Sequence, residues 1–156
     1  MANFNVADFY YGAVLSKLFN NNILPALVEG DDDRQIYKLT TNDGEYRLFI
    51  KYRAKSRPGV HGQYRSWQFT FTSEDIDEIF GYISDGHNLL MALVCGEEGF
   101  NGSELAVLDR DDITQCLGGG KTSLTISRAK GEKAFRISMG GGRKNAIKIP
   151  SNRLVG

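Results

Sequence analysis

The chain has 156 residues, enough for one domain that buries about 70% of its unfolded surface. Hydrophobic residues make up 41% and charged residues 24%, with 19 bases against 19 acids, the balance of an ordinary soluble globular protein. No apolar run reaches the ~20 residues that span a bilayer, the start MANFNVADFYYG lacks a secretory pattern, and Cys95 and Cys116 are too few for a disulfide framework or a zinc site. A cytoplasmic, non-membrane protein is expected.

The zero net charge hides a segregation. Residues 1 to 45 carry seven acids and three bases, residues 46 to 72 six bases and no acid, residues 73 to 112 eleven acids and one base, and residues 113 to 156 nine bases and one acid. If the two basic blocks share a face, that face is strongly positive. The alternative is that acidic and basic blocks cover each other.

In chain order, Phe9, Ala13, Val14 and Leu18 recur at helical spacing, so residues 5 to 29 read as helical. Asn20-Asn21-Asn22 marks an end or turn, and Pro25 bars a helix interior or begins a second short helix. The acidic loop Glu29-Gly30-Asp31-Asp32-Asp33 follows, read as a solvated turn. Asp43-Gly44 between Arg34–Thr41 and Tyr46–Arg53 signals a hairpin. On its second strand Tyr46, Leu48, Ile50 and Tyr52 share one face, expected to pack on the core. Arg47, Phe49, Lys51 and Arg53 share the other, expected to be open.

The loop AKSRPGVHGQ carries Lys55 and Arg57. The alternating run Tyr64 to Thr72 places Arg65, Trp67, Phe69 and Phe71 on one face. Thr72 and Asp75 resemble a helix N-cap pair, ahead of Ile76, Ile79, Phe80 and Ile83 at helical spacing. Leu89 to Cys95 reads as a strand buried on both faces. Leu105 to Leu108 is a strand, and Asp109 caps a short helix through Leu117. Lys121–Ala129 and Lys133–Ser138 form a hairpin whose outer ends, 118–121 and 140–144, are glycine-rich and basic. Asn145 to Ile149 adds one more strand. The expected fold is α+β, a mixed central sheet flanked by helices. It is one domain with a core over 1–112 and a basic β-hairpin extension over 113–156.

Gly120-Lys121-Thr122 imitates the end of a phosphate-binding loop, but Gln115 stands where that motif needs glycine and the helix precedes rather than follows. His61 and His87 sit singly in polar loops with no metal-ligating spacing. As a pair, the glycine-rich loops can present backbone N–H groups and the cations Lys121, Arg143 and Lys144 to phosphate, or the glycines simply permit the turns.

The order helix, acidic loop, hairpin, third strand, helix, buried strand resembles the restriction-endonuclease-like fold of the PD-(D/E)XK superfamily. YGAVLSKLFNNNILPALVEG is similar to its leading helix and RQIYKLTTNDGEYRLFIKYRAKS to its central hairpin, within roughly residues 6 to 110. The resemblance implies a nuclease-type scaffold of bacterial or phage kind. In that family an Asp before the hairpin and an acid-x-Lys on its next strand hold Mg²⁺ and position the attacking water. Lys51 stands at the lysine position and Asp33 is matched to the first Asp, with Asp31 and Asp32 as alternatives. Phe49 occupies the acid position. Glu45 has the right parity but lies six residues from Lys51, about 20 Å along a strand.

The resemblance therefore implies binding without the full catalytic set, with no cofactor. The expected partner is DNA or RNA, held through Arg47, Lys51, Arg53, Lys55, Arg57, Arg65, Lys121, Arg143 and Lys144, with Tyr52, Tyr64 and Trp67 between them. Two alternatives stand. One is a Mg²⁺-dependent nuclease with a carboxylate migrated to Glu74 or Glu104. The other is a protein-interaction module of a defence or mobile-element system, using the acidic block 73–112. The discriminating geometry is whether a carboxylate lies within ~5 Å of the Lys51 ammonium.

Overall fold

The structure is a computed structural model that describes residues 3–31, 33–59, 62–139, 145–151 and 153. Helix α1 (Val6–Asn20) starts at a reciprocal cap: the Asn5 side chain accepts the Asp8 N–H, and the Asp8 carboxylate accepts the Asn5 N–H. Its buried stripe is Ala7, Tyr10, Tyr11, Val14 and Leu18. The predicted stripe shares only Val14 and Leu18 with it, because Phe9 and Ala13 face outward. The helix stops where Asn22 takes a positive φ of 60°, a conformation asparagine tolerates.

Residues 24 to 30 are not helical. They form strand β1 (Leu24–Gly30), antiparallel to β2 (Gln35–Thr41). Pro25 fits there because β1 is an edge strand with β2 as its neighbour, so a missing donor breaks no ladder on the outer side. The hairpin from β2 to β3 (Gly44–Arg53) turns as expected, with Gly44 at φ 117° and Thr41 paired to Gly44.

From β3 the chain passes through β4 (Arg57–Pro58), β5 (Tyr64–Thr70) and helix α2 (Ser73–Ser84). It then enters β6 (Leu89–Cys95), parallel to β3. Strand β7 (Glu104–Leu108) returns beside β6, and Asp109 caps helix α3 (Arg110–Leu117). The first sheet runs β1-β2-β3-β6-β7. The second runs β10-β9-β8-β5-β4, with β8 (Ser123–Ala129), β9 (Ala134–Ile137) and β10 (Ile147–Pro150). The fold is thus α+β, with a mixed sheet flanked by helices. The C-terminal hairpin is built into a second sheet through pairing of β8 with β5 along its length.

Three layers follow. Helix α1 covers one face of the first sheet, burying Tyr37, Leu39, Leu48, Ile50, Ala92 and Val94. The other face of that sheet meets the inner face of the second, with Ile79 of α2 and Ile113, Cys116 and Leu117 of α3 closing the core. The expectation of an open face on β3 is therefore corrected. Phe49 is fully buried between the sheets and Lys51 is 9% exposed. Among the described residues no helix is long and apolar enough to cross a membrane.

Both thiols lie in the core, and burial pushes Cys116 up to about 11. Phe49→Ala should cost about 3–5 kcal/mol in urea unfolding, the range for emptying a buried aromatic site. A loss within about 0.5 kcal/mol is what an open face would give.

Candidate functional site

The two sheets part where the end of β3 passes β5, leaving a groove of about 500 Å³. Asp33 and Lys51 both line it, so the two residues matched to the catalytic pattern share one cleft. Arg53 and Lys55 line it from the β3 side, and Gln68 and Thr70 from β5. Arg53, Lys55, Gln68 and Thr70 are exposed, so the groove offers two cations and two neutral hydrogen-bonding side chains to solvent.

The lysine is not available in the same way. Its ammonium lies 3.3 Å from Asp75 Oδ2 and 5.4 Å from the Phe71 ring centroid. Asp75 also accepts from Arg34 Nε at 2.9 Å through Oδ1, and Oδ2 accepts the Thr72 N–H that starts α2. Arg34 reaches Glu29 at 2.8 Å and Glu78 at 2.6 Å, with its guanidinium 5.7 Å from the Phe49 ring centroid. The Phe49 ring thus packs under a structural arginine. Burial works against the Arg34 charge, but Glu78, Glu29 and Asp75 outweigh it and its pKa rises. Burial, with a hydrogen bond shared with Glu29, pushes the Glu78 carboxyl up against the pull of Arg34.

A carboxylate therefore does lie within reach of Lys51. It is Asp75, rather than Glu74 or Glu104. Glu104 is held by Arg65 at 2.9 Å and Arg128 at 3.3 Å. Asp75 was legible only as a cap partner of Thr72, a role it also performs. Nothing in its spacing pointed to a lysine 24 residues earlier. These residues do not fit a Mg²⁺ site: the ion would have to displace Arg34 or Lys51 from Asp75, and Phe49 offers no donor. Among the described residues no three His, Cys, Asp or Glu side chains gather as a metal cluster.

The other basic and aromatic residues expected at the surface divide sharply. Arg57 is exposed on β4, and Lys121 is exposed just before β8. Arg47 is half-buried, its guanidinium 6.0 Å from the Tyr82 ring centroid. Arg65 is turned inward onto Trp67 and salt-bridged to Glu97 and Glu104. Tyr52 stacks on Tyr10 at 5.0 Å, and the buried Trp67 donates its indole N–H to the Gly96 carbonyl at 2.8 Å. Lys51 is thus corrected from a surface position to a buried one, Arg47 and Arg65 are engaged by neighbouring side chains while partly exposed, and Tyr52 packs on the core face that its strand parity predicts. Asp31 accepts the Asp33 and Arg34 N–H groups in its own turn. Asp32, His61, Arg143 and Lys144 lie outside the described residues, and with them the second glycine-rich loop.

Asp75→Asn leaves Arg34 and Lys51 buried without their shared countercharge, and should cost about 3–5 kcal/mol in urea unfolding. Lys51→Met, which leaves Asp75 its arginine, should cost less. Glu78 gives a pH signature. Its folded pKa lies above the ordinary 4.5, so the native state holds that proton more tightly. The contribution is fully present below the ordinary value and is lost as pH rises through the folded one. Glu78→Gln should flatten this part of the stability profile in pH-dependent urea titrations.

Compared with protein-family models, curated proteins and solved structures, the chain gives no match.

Proposed function

We propose that the protein binds nucleic acid at the groove between its two sheets, on a nuclease-type scaffold that resembles the PD-(D/E)XK superfamily but lacks the full catalytic set. The observation that carries this reading is a division of labour among the cations. Arg53 and Lys55 stand exposed at the groove, with Arg57 beyond them on β4, whereas Lys51 is engaged by Asp75. Charge for neutralising phosphate is on offer to solvent. The lysine that would stabilise a reacting phosphate is tied into the core. With the rings of Tyr52 and Trp67 packed inside and only Tyr64 half-buried on the outer face of the second sheet, contact is mainly with the sugar-phosphate backbone, and sequence preference is weak.

The reading as a protein-interaction module through the acidic block has less support. Asp75, Glu78, Glu97, Glu104, Asp109 and Asp112 are committed to Arg34, Arg65, Arg128 and Arg153. The nuclease reading keeps two favourable observations: Asp33 shares the groove with Lys51, and the Asp75 carboxylate lies 3.3 Å from the Lys51 ammonium, although Arg34 and the Thr72 N–H already engage that carboxylate.

The test is binding of labelled single-stranded and duplex oligonucleotides across a salt series. Affinity should fall as salt rises, and Arg53→Glu with Lys55→Glu should weaken binding about tenfold or more. On a duplex, the slope of log affinity against log salt should shrink by about 0.9 for each phosphate that the variant no longer neutralises. Affinity indifferent to salt, or to the double substitution, overturns the proposal.

A further inference from the structure

The outer face of the second sheet has a composition that the groove alone does not explain. Directly paired residues of antiparallel strands share a face. The register places Arg57 opposite Ser66, Ser66 opposite Ser127, Ser127 opposite Arg136, and Arg136 opposite Lys148. One row of side chains, Arg-Ser-Ser-Arg-Lys, therefore crosses all five strands, about 19 Å at the usual strand separation. Gln68 faces Thr125 and Thr70 faces Ser123 in the rows beside it.

None of these side chains is buried, whereas Trp67, Phe69, Leu124, Ile126, Phe135, Ile137 and Ile149 on the opposite face are. The five strands contain no Asp or Glu. The acid nearest in sequence is Glu132, which pairs with Arg136 at 2.7 Å.

We infer that this outer face is a binding platform for the sugar-phosphate backbone of a nucleic-acid strand, continuous with the groove. Three observations select that occupant. First, the face is positive through Arg57 and Lys148 with acids absent from its strands, so it complements a polyanion. Second, its neutral positions are Ser, Thr and Gln, alongside Tyr64 paired with Ala129 and Ala134 paired with Pro150, and Ser, Thr, Gln and Tyr are with Arg and Lys the side chains that contact phosphate and sugar. A protein interface would instead be expected to centre on large apolar or aromatic anchors. Third, Gln68 and Thr70 belong both to this face and to the groove lining, so a strand leaving Arg53 and Lys55 meets the face without a break. The inference rests on the nucleic-acid reading of the groove and extends its footprint across the second sheet.

Two double variants separate the two ideas: Thr125→Glu with Lys148→Glu on the face, and Arg53→Glu with Lys55→Glu at the groove. A milder pair, Thr125→Ala with Lys148→Ala, guards against misfolding, with thermal unfolding measured on all three. Using the same oligonucleotides and salt series, the face variant should bind about tenfold or more weakly with a shallower salt slope. The milder pair should bind several-fold more weakly with unchanged unfolding. If the groove variant weakens binding and both face variants leave affinity and slope unchanged, the platform is refuted and the groove reading stands. If only the face variants weaken binding, the platform stands and the groove reading fails. Face variants that lose binding to phosphatidylserine vesicles but keep full oligonucleotide binding would also refute the platform.

Discussion

Asp75 holds together three pieces of chain that would otherwise have no reason to meet. Its carboxylate caps α2, accepts Arg34 from the start of the central hairpin, and accepts Lys51 from near the end of β3. At 3% exposure this carboxylate is not tolerable alone, since burying an unpaired ion costs several kcal/mol. The network therefore specifies the placement of α2 against the first sheet more than it adds net stability. It also fixes Lys51, which lines the groove. Arg34 lies over the Phe49 ring, so the buried ring packs against the same network.

Charge segregation along the sequence is resolved by pairing in space. The first acidic block supplies Glu29 to Arg34. The second supplies Asp75 and Glu78 to Arg34, Glu97 and Glu104 to Arg65, and Asp109 and Asp112 to Arg153. Both readings of the segregation thus hold in part: some acids and bases of different blocks pair, and other cations of the two basic blocks stay exposed, among them Arg53, Lys55, Arg57, Lys121, Lys130, Lys133 and Lys148.

Local signals were legible where the physics is local. The turn at Asp43-Gly44, the caps at Thr72 and Asp109, the helix over Ile76–Ile83 and the doubly buried strand at Leu89–Cys95 all depend on residues a few positions apart. What failed depends on distant chain. Alternation along β3 separates its two faces correctly but is silent on whether a second sheet covers the polar-looking one. Arg65 and Trp67 share a face, but only the pairing of β5 with β8 turns that face inward. Pro25 was compatible with a helix start, and its role as an edge-strand residue is set by β2. For the site, Asp33 and Lys51, matched through the resemblance, line one groove, while the partner of Lys51 was hidden behind a capping role.

On the proposed function, this cleft holds nucleic acid without cutting it, because its lysine is committed to Asp75. The most direct measurement is incubation of DNA and RNA with the protein in Mg²⁺ and then in Mn²⁺, followed by resolution of the products. Intact nucleic acid that remains bound to the protein is the expected result. Cleavage that Lys51→Ala abolishes would contradict it.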